Sequence, residues 1–276
     1  MTNQFTPNDL EIIISTMNQT SLNFLVPMFP MCHFSAFSIL IINQTTENNV
    51  LVSEFESVKV INSFEKGLSK SRNLGIKNAS KSILILTDDD VVFADDFSEK
   101  VIHSFQIFPN QNILRFQVQS FKKKFLRNYP TNFIESLNKL ELLNTMSVEL
   151  VFKKTVFDKT TILYDENFGL GGKFELGEEN SILLDLDKEN ITVGFVPKVL
   201  CYHDEKYSSI NLSKQTVYYS SGAFYYRNFS STYQFWILLK LFFEIKQRKI
   251  SFFDISNLYK QAILGKNDYK KICNRL

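Results

Sequence analysis

The sequence predicts an α/β fold, with a mostly parallel, Rossmann-like sheet flanked by helices and a helical C-terminal extension. Short apolar runs recur between residues 11 and 203, and segments with helical features separate them. Strands alternating with helices at this spacing are typical of βαβ units. The run at 83–86 leads directly to three aspartates, Asp88, Asp89 and Asp90. Ligands of open α/β sheets bind outside the carboxyl ends of the strands, so this stretch is the first candidate for a functional site.

Length and composition are compatible with one large domain, or with one domain and an appendage. The 276 residues can bury a substantial core, and a net charge of +2 gives no general attraction to nucleic acid. The three cysteines are far apart and form no CxxC pair, which favours reduced thiols in a cytoplasmic protein. The first residues lack the features of a signal peptide, and the most apolar segment, 235–239, is too short to span a bilayer.

The elements are predicted one by one from their local patterns. Apolar or alternating runs predict strands at 11–15, 38–42, 58–61, 83–87, 113–118, 147–152, 192–197 and 200–203. Capping signals and helical spacing predict helices at 69–79, 94–108, 131–145 and 178–188. From about residue 207 the chain is aromatic and basic, and we expect it to be mostly helical.

The aspartate triplet predicts a cation site. Neighbouring carboxylates repel each other by about 4 kcal/mol per close pair at an effective dielectric of about 20, so a divalent metal carrying a phosphorylated ligand is the expected occupant. Alternate side chains of an extended segment point the same way. Asp88 and Asp90 should therefore share a face, with Asp90 as the better placed metal ligand and Asp89 pointing elsewhere. A solvated turn is the alternative interpretation.

Two further segments could bind an anion or supply a base. Gly67 and Ser69 stand at a predicted helix start, where free N–H groups favour anions, and Arg72 adds a planar fork that suits phosphate or a base carbonyl. A glycine-rich stretch at 168–172 precedes Glu178 and Glu179, and a glutamate suits the role of general base. Helix capping alone explains Gly67 and Ser69, and the helix dipole alone explains acids in a first turn.

Histidine is rare in this chain, and only one of the three has a suggestive position. His203 follows a predicted strand and could complete a metal shell with Asp90. His33 and His103 are interpreted as structural residues.

In this order, these segments resemble the inverting glycosyltransferases of family 2, which have the GT-A fold. The resemblance extends from about residue 11 to residue 209. Its parts are a first strand ending in a polar turn at 12–18, a Gly-x-x-x-x-Arg-Asn segment at 67–73, the Asp-x-Asp motif at 88–90, the acid pair Glu178-Glu179 and the late His203. The second strand departs from the family pattern, because it ends in Asn43-Gln44 where many members have an aspartate that contacts the base.

The resemblance implies a metal-assisted transfer with inversion from a nucleotide-sugar, most often UDP-linked, to a saccharide or lipid-linked acceptor. It implies a GT-A domain at 1–206, with a nucleotide-sugar half at 1–115 and an acceptor half at 116–206, and an extension at 207–276. Glu179 would be the catalytic base, with Glu178 orienting the acceptor or the base, and Asp90 and His203 would hold Mn²⁺ or Mg²⁺. The donor-binding residues would be Thr16, Asn43, Gln44, Gly67, Arg72, Asp88 and Asp89.

Two other functions compete with this interpretation. A sugar nucleotidyltransferase usually has a glycine-rich basic loop after its first strand, and residues 16–20 contain no glycine. A non-catalytic module with a basic surface needs clustered Lys and Arg, and the dense patch outside the tail is Lys122–Lys124 with Arg127. Spacing alone does not distinguish inverting from retaining chemistry.

The basic, aromatic tail has two interpretations. Basic amphipathic helices bind anionic membranes, so residues 209–276 could hold the protein at the inner face of the plasma membrane, near a lipid-linked acceptor. The alternative is a helical cap over the sheet. The composition suggests an AT-rich bacterial genome, and surface polysaccharide or lipooligosaccharide synthesis is the setting we associate with it.

Overall fold

The computed structural model describes residues 5–204 and 212–274. Contacts within the chain separate it into two compact units. The described residues within 1–66, 70–164 and 182–205 form the first unit, and those within 67–69, 165–181 and 206–276 form the second.

The described part of the first unit is built on one eight-stranded sheet with the order β3-β2-β1-β4-β7-β6-β8-β5. The strands are β1 (Leu10–Met17), β2 (Ser38–Gln44), β3 (Val58–Ser63), β4 (Ile83–Asp88), β5 (Val92–Phe93), β6 (Ile113–Gln119), β7 (Leu150–Lys153) and β8 (Val193–Tyr202). β1 is parallel to β2 and β4, β2 to β3, and β6 to β8, whereas β7 and β5 pair antiparallel. The mostly parallel α/β sheet predicted from the sequence is confirmed, and the carboxyl ends of β1, β2 and β4 lie at one edge.

The helices mostly follow the sequence pattern. They are α1 (Leu25–Met28), α2 (Leu68–Asn78), α3 (Phe97–Ile107), α4 (Lys139–Leu142), α5 (Thr155–Thr160), α6 (Glu178–Lys188), α7 (Lys214–Phe229), α8 (Tyr233–Lys246) and α9 (Ile255–Cys273). The predictions at 69–79, 94–108 and 178–188 are confirmed, and so is the helical character of the tail over 212–274. Positions 207–211 and 275–276 of the predicted extension lie outside the described residues.

The helix predicted at 131–145 is wrong for most of its length, since only Lys139–Leu142 is helical. The backbone before it pairs with β8 instead. Ile134 and Phe195 exchange two N–H···O bonds of 3.1 and 2.8 Å, and the N–H of Leu137 donates to the carbonyl of Val193 at 2.9 Å. The helical spacing of the apolar residues does not produce a helix here, because the backbone groups of Ile134 and Leu137 form hydrogen bonds with the distant strand β8.

The core of the first unit lies on both faces of the sheet. Its central strands are near-continuous apolar runs, as expected for parallel strands covered on both sides. On one face, the ring of Phe93 in β5 stacks on Phe97 at 4.4 Å and on Phe29 at 5.2 Å between centroids. These buried rings anchor the short segment that follows the three aspartates.

The second unit has its own apolar cluster, formed mainly by α7, α8 and α9. The cluster contains Tyr218, Tyr233, Ile237, Leu241, Ile250, Leu258 and Ala262. Across residues 5–204 and 212–274, none of the helices combines the length and the apolar character needed to cross a bilayer.

Candidate functional site

The three aspartates follow directly from the pairing of β4 with β1. Ser15 of β1 lies opposite Asp88, so the triplet emerges where both strands end. In the described chain, each of the three carboxylates has a different partner, and the partners come from different segments.

Asp88 is paired with a buried arginine. Arg72 of α2 is only 1% exposed, and its Nη2 lies 3.4 Å from Oδ1 of Asp88. The same nitrogen donates to the hydroxyl of Ser147 at 2.9 Å, and the guanidinium lies over the ring of Tyr164, 5.5 Å from its centroid. Arg72 therefore holds the Asp88 carboxylate, which stays partly accessible to a ligand.

Asp89 is held by the turn that follows β1. The Thr16 hydroxyl and the Nε2 amide of Gln19 both donate to its Oδ2, the second at 3.3 Å. Asn43, at the end of β2, fixes this turn, because its side chain accepts from the N–H of Gln19 at 3.0 Å and donates to the Gln19 carbonyl at 2.9 Å. Gln44 contributes through its carbonyl, which accepts from the N–H of Asn18 at 2.9 Å.

Asn43 is fully buried and also donates to the side chain of Asn62 at 3.0 Å. Asn62 in turn exchanges hydrogen bonds with the backbone of Leu51, both of 2.9 Å. The amides thus connect the ends of the first three strands. The role of Asn43 and Gln44 at a nucleotide base stays a prediction, and these contacts show that both residues shape the turn beside Asp89.

Asp90 faces His203 because β5 pairs with β8. The antiparallel register joins Val92 to Tyr202 and Phe93 to Cys201, so the residues just beyond these pairs meet. Nε2 of His203 lies 3.3 Å from Oδ1 of Asp90, whose side chain is about half exposed. The other ring nitrogen, Nδ1, lies 2.8 Å from the carbonyl oxygen of Asp204.

The electrostatics of this pair favour its charged form. The hydrogen bond from His203 holds the pKa of Asp90 below its usual range. Burial by itself would lower the pKa of His203, but the hydrogen bonds to Asp90 and to the Asp204 carbonyl outweigh it, and the pKa is raised. The site thus presents carboxylate oxygens and an imidazole nitrogen, and part of its negative charge is compensated.

These donors do not make a closed metal cage. In the part of the chain that the structure describes, no group of three or more His, Cys, Asp and Glu side chains is gathered closely enough to hold a metal ion. An ion bound between Asp90 and His203 would therefore need ligands beyond these two side chains.

Glu178 and Glu179 belong to the second unit and follow a glycine-rich turn in the sequence. Gly67 and Gly171 pass so closely that a Cβ on Gly171 would lie 3.3 Å from the Cα of Gly67, and both have positive φ. The N–H of Leu68 donates to the Leu170 carbonyl at 2.9 Å, and the Ser69 hydroxyl donates to the Phe168 carbonyl at 2.6 Å. Segment 67–69 is thereby tied to the turn at 168–172.

Glu178 and Glu179 begin α6 and differ in accessibility. Glu178 is buried beneath Gly169, where an added Cβ would lie 3.1 Å from the Glu178 carboxyl carbon. Glu179 is only partly buried. Of the two, Glu179 has the carboxylate that a substrate can reach more easily, and Glu178 is packed into the turn.

Helix α7 supports this segment from within the second unit. The Ser220 hydroxyl accepts from the N–H of Glu175 at 3.0 Å, and Nε of Arg227 donates to Asp165 at 2.9 Å. A Cβ on Gly177 would come within 2.7 Å of the Phe224 ring. The acid pair is therefore positioned by contacts at both ends of residues 165–177.

Sequence reasoning missed Gln19, Ser147 and Tyr164. Gln19 lies in the polar run after the first strand, and this run is the sequence signal that could identify it. Ser147 and Tyr164 lie 75 and 92 positions beyond Arg72 in the chain, and no local pattern connects them with it. The Asp-x-Asp and acid-pair segments were found because their signals are local.

Comparisons with known proteins show which family and which solved structures this chain resembles. Residues 35–170 match the model of the family described as glycosyl transferase family 2, and no curated protein gives a significant match. Among solved structures, S. aureus TarS 1-349 is similar at 13% identity and a TM-score of 0.53, covering 79% of this chain and 64% of that one. TarS 1-349 in complex with UDP-GlcNAc gives 15% identity and a TM-score of 0.55, with 79% and 66% coverage.

The TarS complex with UDP gives 14% identity and a TM-score of 0.53, with 79% and 64% coverage. This chain thus spans slightly less than two thirds of TarS 1-349, and at these identities the likeness concerns the fold. The mostly parallel sheet and its flanking helices have the GT-A architecture of these structures. Residues 35–170, just under half of the chain, thus match glycosyl transferase family 2.

Proposed function

We propose that this protein transfers a sugar from a UDP-linked donor to a saccharide or lipid-linked acceptor, with inversion at the anomeric carbon. The observation that carries the proposal is the set of three aspartates at the end of β4, each held by a separate partner, within a family 2 domain. TarS was solved with UDP-GlcNAc and with UDP, which supports a uridine nucleotide as the donor group here.

In this proposal the first unit binds the donor. Asp88, fixed by Arg72, accepts a hydrogen bond from a ribose hydroxyl. Thr16 and Asp89 line the nucleotide, and the turn carried by Asn43 and Gln44 contacts the base. The resemblance also assigns Gly67, a residue of the second unit, to the donor.

The residues around Asp90 fit a divalent ion. A backbone carbonyl can only accept, so Nδ1 of His203 carries a proton toward Asp204. Its Nε2 then faces the Asp90 carboxylate either as a proton donor or with a lone pair free for a metal. Asp90 and His203 would hold Mn²⁺ or Mg²⁺, which would supply Lewis-acid stabilisation of the departing diphosphate.

The second unit supplies the base in this proposal. Glu179 removes the proton from an acceptor hydroxyl as that oxygen attacks the anomeric carbon from the face opposite the nucleotide. Glu178, packed beneath Gly169, keeps the first turn of α6 in place and orients the base or the acceptor. The proton is left on Glu179, and the nucleoside diphosphate leaves with the bonding electrons.

We further propose that the setting is bacterial surface polysaccharide or lipooligosaccharide synthesis, on the cytoplasmic side of the plasma membrane. A lipid-linked acceptor would explain peripheral contact through residues 209–276, of which 209–211 and 275–276 lie outside the described part. The reduced cysteines and the basic tail support this setting.

The experiment is a screen of nucleotide-sugars for hydrolysis and transfer with Mn²⁺. We expect Asp90→Ala and Glu179→Ala each to abolish transfer with the fold intact. Asp95→Ala and Glu189→Ala, which remove exposed acids near the same elements, are the matched controls and should keep full activity. Calorimetry should show that Glu179→Ala still binds UDP. Transfer by either active-site variant would refute the assignment, and loss of UDP affinity in Glu179→Ala would exclude Glu179 as the base.

A further inference from the structure

Helix α8 has apolar side chains on two opposite faces. Tyr233, Ile237 and Leu241 face the cluster of the second unit and are buried. Phe235, Leu238 and Phe242, three and four residues apart, lie on the other side, and each is more than half exposed. A surface helix normally has polar side chains on the side that faces water. The outer face of α8 is therefore a surface that favours an apolar partner.

Exposed apolar side chains occur again beyond the end of α8. The turn 247–251 leads to Phe252 and Phe253, which are 74% and 97% exposed. Single exposed apolar residues are ordinary, but several large ones within one short segment mark an interaction surface. We call the exposed side chains of Phe235, Leu238, Phe242, Phe252 and Phe253 the aromatic edge.

Positive charge accompanies the aromatic edge. Lys246 is the last residue of α8, Arg248 and Lys249 lie in the turn, and all three are exposed. The segment 233–253 contains one acidic residue, Glu244. Its carboxylate accepts from Lys240 at 2.7 Å and from the Tyr218 hydroxyl at 2.8 Å, so this acid is compensated within the second unit. The surface that remains is apolar with a cationic border.

We propose that the aromatic edge enters the interfacial region of an anionic bilayer while Lys246, Arg248 and Lys249 bind lipid phosphates. Phenylalanine and leucine side chains suit the boundary between headgroups and acyl chains, and basic residues add attraction to anionic lipids. A protein partner would need complementary acids, whereas a bilayer supplies many phosphates in one plane. This inference deepens the membrane contact of the proposed function, but it does not depend on sugar transfer.

The test is co-sedimentation of the full chain with vesicles of phosphatidylcholine, with and without phosphatidylglycerol. We expect wild-type protein to bind the vesicles that contain phosphatidylglycerol and to be released by high salt. Phe252→Ser with Phe253→Ser should reduce the partition coefficient about tenfold or more, because two exposed rings no longer enter the bilayer. Charge reversal of Lys246, Arg248 and Lys249 to Glu should reduce it at least about tenfold.

The matched control is Phe64→Ser with Phe121→Ser, two phenylalanines outside the second unit that are also more than half exposed. This variant should bind vesicles as wild type does. Absence of wild-type binding, or equal loss in the control, would overturn the proposal. So would a wild-type dimer that the Phe252/Phe253 variant converts to a monomer with vesicle binding unchanged, since the occupant would then be a second copy. The assay contains no donor, so a failed nucleotide-sugar screen would not affect its interpretation.

Discussion

Helices α7 and α9 approach each other so closely that replacing a glycine at their contact with alanine should destabilise the protein, although helix propensity alone favours alanine. Ala262 and Tyr219 are the neighbours at this crossing. A Cβ on Gly222 would lie 1.9 Å from the Ala262 carbonyl oxygen, and a Cβ on Gly265 would lie 1.8 Å from the Tyr219 carbonyl oxygen. Real Cβ contacts are essentially never shorter than 3.0 Å, so even one alanine requires the two backbones to separate by about an ångström.

The change we propose is Gly222→Ala. In an isolated helix it would be stabilising by about 0.8–1 kcal/mol, whereas overpacking a close contact costs about 1–3 kcal/mol and occasionally more. The obstructing atom belongs to a helix backbone, which cannot rotate away as a side chain does. After the helix-propensity gain is subtracted, we therefore expect the free energy of unfolding to fall by up to about 2 kcal/mol. For a chain of this size, that lowers Tm by about 2–4 °C per kcal/mol.

Transfer activity should fall together with Tm. Helix α7 also carries Ser220 and Arg227, which hold the segment in front of the acid pair. The assay is thermal unfolding followed by circular dichroism, with initial transfer rates measured well below Tm. The control is Asn267→Ala on the exposed side of α9, which should leave Tm unchanged or slightly higher. A Gly222→Ala protein that melts at or above the wild-type temperature would refute this packing argument.

Three further predictions concern buried charge, a buried thiol and the metal. Glu149 is fully buried, and its carboxylate lies 2.7 Å from Nε of Arg115. Glu149→Gln leaves an uncompensated cation and should lower the free energy of unfolding, measured by urea titration, by about 3–5 kcal/mol. An unchanged unfolding midpoint would contradict this. Burial raises the pKa of the Cys201 thiol far above its usual range, whereas Cys32 and Cys273 are exposed. A thiol reagent should thus modify Cys201 only after denaturation, and rapid modification of all three thiols in native protein would contradict this. A chelator should abolish transfer and added Mn²⁺ should restore it, while transfer that persists in the chelator would remove the metal from the proposal.

The sequence predicts those parts of the molecule that depend on local signals. The strand before Asp88 and the helix containing Arg72 were predicted because apolar runs and caps lie within a few residues of each other. The two-residue strand β5 and the pairing of Ile134 with Phe195 were not, because both depend on hydrogen bonds to the distant strand β8. The burial of Arg72 was also not predictable, since its neighbours come from other parts of the chain.

The pairing of β5 with β8 also limits how the connection after the three aspartates can vary in length. Only two residue pairs set the register, Val92 with Tyr202 and Phe93 with Cys201. Side chains alternate between faces along a strand, so shifting the register by one residue reverses their directions. Inserting or deleting one residue between Asp90 and Val92 would therefore turn the carboxylate away from His203 without altering either side chain. A related protein in which this connection has a different length needs another position to bring a carboxylate to the histidine, however well the aspartates align.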